Sequence, residues 1–141
     1  MTGDDLCFLS GGEAARLIAA RQLSPVELVD AILARVEAVQ PHINAFTVVR
    51  AEAARAEAKA AEAAVGNGDA LGLLHGVPFT VKDMIDVAGE RITWGSYMFE
   101  NNVPAEDAPV VARLKAAGGI VLGITNMPEC GPKGVTDNPL W

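Results

Sequence analysis

The sequence predicts an α/β fold: N-terminal helices followed by a βαβ unit of a mixed, mainly parallel sheet that helices cover. Three observations carry this. In the first half, apolar residues recur at helical spacing between capping signals. In the second half, glycine and proline become frequent and β-branched runs appear. A short helical stretch separates two of those runs, and strand, helix, strand is the pattern of a crossover in a parallel sheet. The switch near residue 70 reads as a change of layer within one domain, helical over 10–66 and βαβ over 72–126. A chain of 141 residues is long enough for one domain with a core of its own.

The elements follow in order. Ser10 caps a helix, with Glu13 completing a capping box and Leu17 and Ile18 on one face. Ser24-Pro25-Val26-Glu27 is a stronger start: a cap, proline at the first helical position, and a glutamate able to reach back to the cap amide. Behind it Val29, Ile32, Leu33, Val36 and Val39 recur at helical spacing, and Pro41 is expected to stop the helix. Asn44 to Val49 fits a strand or an extended link. Ala51 to Val65 is an alanine-rich helix closed by Gly66-Asn67-Gly68, with Glu52/Arg55 and Lys59/Glu62 spaced as surface pairs. Val77 to Lys82 is a strand entered through Gly76. Asp107 to Ala117 is a short helix, with Asp107 as cap, Pro109 in its first turn and Gly118 as stop. Ile120 to Ile124 is apolar throughout, the pattern of a strand covered on both faces. Little chain follows it, so this strand is expected to leave an open apolar edge that promotes association.

Composition narrows the function classes. The net charge of −7 argues against general nucleic-acid binding and against docking on an anionic membrane. No apolar run approaches the length of a membrane span, and the acidic start lacks the basic region of a secretory signal. Cys7 and Cys130 read as two reduced thiols of a cytoplasmic protein. His42 and His75 lack the spacing of a metal site. Oligomeric state stays open, and a homo-oligomer is compatible with the sequence.

In open parallel sheets, ligands bind beyond the carboxyl ends of the strands. Lys82 and Asp83 lie at that end of the first strand, and Thr125 to Glu129 at that end of the second. A lysine there either snorkels to solvent or pairs with Asp83 or Asp86. Alternatively it is partly withdrawn from water and acts as a base. The pattern alone leaves both open.

The stretch Gly76-Val77-Pro78-Phe79-Thr80-Val81-Lys82-Asp83 resembles the lysine motif of the amidase signature family. Four later blocks resemble that family in the same order: Thr93-Trp94-Gly95-Ser96, Ala108 to Gly118, Gly123-Ile124-Thr125-Asn126-Met127-Pro128-Glu129, and Thr136-Asp137-Asn138-Pro139-Leu140. The helix from Leu28 to Ile43 fits the family's N-terminal region. Many members have lysine where Ile124 stands and an aromatic residue where Cys130 stands, departures that bear on pocket shape.

The resemblance implies an amidase with a serine–serine–lysine relay and no metal or organic cofactor. Lys82 is then the one catalytic residue in this chain. A serine attacks the carbonyl of a small-molecule amide, and a bridging serine, held by a cis peptide, carries the proton to neutral Lys82. Backbone amides stabilise the oxyanion. The family's glycine- and serine-rich stretch lies downstream of the matched blocks. The chain is therefore expected to be the N-terminal part of an incomplete amidase-signature fold, inactive alone. Met127, Glu129, Cys130 and Gly131 are candidate substrate-binding residues of an acyl-pocket loop. The alternative for that loop is a simple turn made by Pro128 and Pro132. Three other functions remain in view: the glutaminase subunit of a tRNA-dependent amidotransferase, a non-catalytic binding module, and a cysteine hydrolase using Cys130 with His75.

Overall fold

The structure, a computed structural model, describes residues 3–141. Along the chain run α1 (Gly3–Cys7), α2 (Gly11–Ala19), α3 (Pro25–Ile43), β1 (Phe46–Val49), α4 (Ala51–Asn67), β2 (Pro78–Lys82), a 3₁₀ turn (Tyr97–Phe99), α5 (Pro109–Ala116) and β3 (Ile120–Thr125). None of the described helices is long and apolar enough to cross a membrane.

Local chemistry accounts for the starts of α2 and α3. Ser10 accepts the Glu13 amide at 3.2 Å, and Ser24 accepts those of Val26 and Glu27 at 3.1 and 3.2 Å. These bonds satisfy helix amides that have no partner within the helix. Pro41 does not stop α3. It lies inside the last turn, and the helix runs on to Ile43. Proline's own backbone angle is helical, so near a C-terminus it removes only one bond. The stop comes from Asn44, which turns left-handed (φ 46°, ψ 44°) and donates its amide to Gln40. The Gln40 side chain then bonds both the N–H and the C=O of Phe46, which starts β1 as a strand rather than a link.

On α4 the Glu52–Arg55 pair forms at 3.3 Å on the exposed surface. Glu62 does not pair with Lys59 in the bonds seen; it accepts from Ser24 Oγ and ties α4 to the start of α3. The buried positions of α4 are Ala54, Ala58 and Ala61, whose small side chains let α3 approach closely.

The sheet order is β1-β3-β2, with β1 antiparallel and β2 parallel to β3. The parallel pairing of the two predicted strands is as expected. The open edge is not: β3 lies in the centre with a neighbour on each side, because β1 arrives from the helical half of the chain to cover it. Each ladder carries an irregularity. Phe79 faces Val121 but Thr80 faces Gly123, and Phe46 faces Thr125 but Val48 faces Ile124. Leu122 is thus an extra residue opposite β2 and reverses the side on which later residues point. Ile120 and Leu122 pack with Val29, Leu33, Val36, Ala54 and Ala58 on one face. Val121 and Ile124 share the other face with Val81, Val87, Ile92 and Val111 of α5. Each such full burial is worth about 1.5–3 kcal/mol.

Asp107 does not cap α5; Ala108 occupies that position without a side-chain bond. The Asp107 carboxylate instead accepts the Ala88 amide at 2.8 Å and the Lys115 ammonium at 2.8 Å, bracing α5 against the loop that follows β2. Partial burial pushes this carboxyl up, but the Lys115 and Ala88 bonds outweigh it, and the net direction is down. A lowered folded value means stability that is present above the ordinary aspartate value of about 3.9 and lost as pH falls through the folded one. The urea midpoint of the native protein is therefore expected to exceed that of Asp107→Asn near neutrality and to converge with it in acid. A gap that persisted unchanged into acid would rule this out.

Candidate active site

Strand β2 sets the geometry. Thr80 and Lys82 face out, while Val81 and Asp83 face in. Lys82 is the last residue of β2 and sits opposite Thr125, the last of β3. The predicted shared rim is therefore present. Lys82 is exposed, so within this chain it takes the solvent-facing alternative and is not withdrawn from water. Among the described residues no hydrogen bond or ion pair holds its ammonium. Asp83 is not a surface partner for it. The Asp83 carboxylate points inward and accepts from Thr93 N (2.7 Å), Thr93 Oγ1 and Gly95 N (3.4 Å).

The loop after β3 is organised from below. Met127 is 0% exposed, so it supports the loop from inside the core and offers a ligand no side-chain surface. Glu129 and Cys130 are exposed, and Gly131 is half-buried. Cys130 adopts φ 54° and Gly131 φ 81°, and the Cys130 amide donates to Trp94 O at 2.9 Å. The loop is thus stitched to the Thr93–Gly95 turn. Asn138 holds its other side, donating to Asn126 Oδ1 and Met127 O and accepting the Leu140 and Trp141 amides. Trp141 Nε1 reaches Thr93 Oγ1 at 3.1 Å, and the Arg91 guanidinium lies 4.3 Å over the Trp141 ring. Ser96 is a turn residue, accepting the Met98 amide at 3.3 Å.

A cavity of about 300 Å³ beside the rim is lined by Asn44, Asn126, Asp137, Asn138 and Trp141. A larger one, about 460 Å³, lies near Gly118, His75 and Glu57, where β3 begins, and none of Lys82, Met127, Glu129, Cys130 and Gly131 lines it. His75 bonds Ala61 O at 2.9 Å and precedes β2, whereas Cys130 follows β3. Because β2 and β3 are parallel, those positions fall at opposite ends of the pair. A Cys130–His75 hydrolase is excluded.

Reasoning along the chain missed Asp83, Thr93, Asn138 and Trp141 as organisers of the rim. For Asp83 a signal existed: strand alternation from Val81 puts it on the core face. For Asn138 and Trp141 none did: Asn138 bonds back across its own loop to Asn126 and Met127, and Trp141 reaches Thr93, 48 residues away.

The mixed sheet, its helical cover and the lysine-bearing rim define an α/β chain with its candidate site at the strand-end rim. Its backbone matches the crystal structure of a bacterial aryl acylamidase of the amidase signature enzymes with a TM-score of 0.87 and 28% identity, over 94% of this chain and 28% of that one. The chain belongs to the amidase family, whose model matches residues 27–141. It is 43% identical to an acylamidase of Rhodococcus erythropolis over 141 residues, which is 100% of this chain and 30% of that protein. It is 45% identical to a glutamyl-tRNA(Gln) amidotransferase subunit of Roseiflexus castenholzii over 130 residues, 92% of this chain and 26% of that protein. The chain thus spans less than a third of the length of these relatives.

Proposed function

We propose that this chain is the lysine-bearing, N-terminal part of a single-domain amide hydrolase, with Lys82 as the general base of a Ser-Ser-Lys relay. The observation that carries this is the position of Lys82: at the carboxyl end of β2, opposite Thr125, exposed on the rim, with the adjacent carboxylate of Asp83 turned inward and fully engaged. Family membership supplies the reaction class.

In this reading the nucleophilic serine attacks the amide carbonyl, and its proton passes through the bridging serine to Lys82. Lys82 returns a proton to the leaving ammonia or amine as the C–N bond breaks. In this reading both serines come from the part of the family's length that this chain does not span. Glu129, Cys130 and Gly131 form part of the acyl pocket, with Met127 as its support. The substrate is a small amide. The two free thiols support a cytoplasmic location.

A second reading is favoured by the likeness to the Roseiflexus amidotransferase protein: the full-length protein then releases ammonia from glutamine and hands it to a partner subunit. One assay separates the two. The full-length enzyme is incubated with a panel of small amides, alone and with an amidotransferase partner and charged tRNA. Multiple-turnover ammonia release without the partner supports the hydrolase. Amide transfer seen only with partner and tRNA supports the second reading, and no release in either arm discards both.

A further inference from the structure

Asp83 is the one fully buried carboxylate beside the rim, at 0% exposure, and no cation among the described residues bonds it. Burying a carboxylate is costly unless donors compensate it. Here every donor to the side chain comes from one turn. Oδ1 takes the Thr93 amide at 2.7 Å. Oδ2 takes the Thr93 hydroxyl and the Gly95 amide. The backbone of Asp83 is pinned as well: its N–H donates to Thr125 O at 3.0 Å, and its C=O accepts from Trp94 N at 2.8 Å.

The turn that Asp83 holds is itself unusual. Trp94 adopts φ 55° and Gly95 φ 64°, successive residues in the left-handed region. A side chain larger than hydrogen is strained in that region and persists there only when its surroundings over-determine it. The same turn carries the partner of the other rim loop, since Trp94 O receives the Cys130 amide at 2.9 Å. An added Cβ on Gly95 would stand 3.0 Å from Met127 O, so turn and loop are in contact. A single carboxylate therefore connects the lysine end of β2, the turn and the loop after β3.

We propose that Asp83 is the positioning residue for Lys82. Its anchored side chain sets where the lysine stands relative to the 127–131 loop, and the Thr93 hydroxyl is its working partner. An apolar residue at this inward strand position would avoid the desolvation cost. The carboxylate supplies instead a two-pronged acceptor that only one placement of the turn satisfies. Thr93 Oγ1 donates to Asp83 and accepts from Gly95 N and Trp141 Nε1, which exhausts its capacity. This inference rests on Lys82 being the base of the proposed hydrolase.

The test uses the full-length enzyme and four variants, with kcat and KM measured per folded molecule and folding followed by circular dichroism. Asp83→Asn keeps the shape but loses one acceptor. It is expected to lower kcat about 100-fold, the scale of an ångström-sized misplacement, while KM stays within about twofold. Thr93→Val is expected to lower kcat about 10-fold in the same pattern, and Thr93→Ser, which keeps the hydroxyl, to stay within about twofold of native. If Asp83→Asn does not fold, the valine–serine pair decides the matter. Native kcat in folded Asp83→Asn or in Thr93→Val, with only the melting temperature reduced, overturns the positioning role. Lys82→Ala is run alongside: turnover surviving there overturns the base assignment itself, whereas an inactive Lys82→Ala beside a native Asp83→Asn overturns this inference alone.

Discussion

Replacing Lys82 by alanine in the full-length enzyme is expected to reduce amide hydrolysis by at least about 100-fold, the usual worth of a positioned general base. The fold should be untouched. Lys82 is exposed at the end of β2, its ammonium makes no hydrogen bond or ion pair among the described residues, and side-chain substitutions at such positions usually change stability by less than about 0.5 kcal/mol. This separates chemistry from structure: activity falls while the thermal midpoint stays. Lys82→Arg is expected to fail almost as completely, because a guanidinium holds its proton throughout the working range and cannot accept another. Near-normal turnover by well-folded Lys82→Ala would remove the assignment, whatever the family likeness.

A large effect on stability is expected at Gly123, in the middle of the sheet. A Cβ there would lie 2.4 Å from Val48 O and 3.0 Å from the Phe46 ring. The oxygen belongs to β1 and cannot retreat without opening the β1–β3 ladder, where Val48 and Val49 pair with Ile124 and Gly123. Gly123→Ala should therefore cost at least about 2 kcal/mol, in the range of overpacked cores. Gly12 serves as the control. It lies in α2 with nothing near its would-be Cβ, so Gly12→Ala should be neutral or stabilise by up to about 1 kcal/mol. Urea denaturation measures both, and equal midpoints for the two variants would show that the sheet accommodates the methyl group.

Much of the site's frame was legible along the chain. Ser10 and Ser24 marked helix starts because capping is a matter of three or four adjacent residues. The unbroken apolar run from Ile120 to Ile124 marked a strand covered on both faces, and the glycines around it marked its ends. The parallel pairing of β2 with β3 followed from the helix between them, so Lys82 and Thr125 could be set on one rim before any coordinates. Local rules misplaced Pro41 and Asp107 for a common reason: each residue type has a preferred role near helix ends, but the neighbours in space decide whether that role is used. Asn44 ended α3 a few residues later, and Lys115 with Ala88 claimed the carboxylate expected at the cap.

What only the tertiary structure decided is the placement of β1 and the consequences of that placement. The amino-acid sequence by itself determined an α/β chain with a lysine at a strand end, because periodicity, capping and glycine punctuation act over a few residues. It could not determine that β3 is central, that the extra residue at Leu122 brings Ile124 onto the face of Val121, or that Asp83, Thr93, Asn138 and Trp141 would close around the rim. Those features depend on contacts between residues far apart in the chain. Backbone propensity is silent about such partners, and they are selected only when packing and hydrogen-bond satisfaction are solved for the whole fold at once.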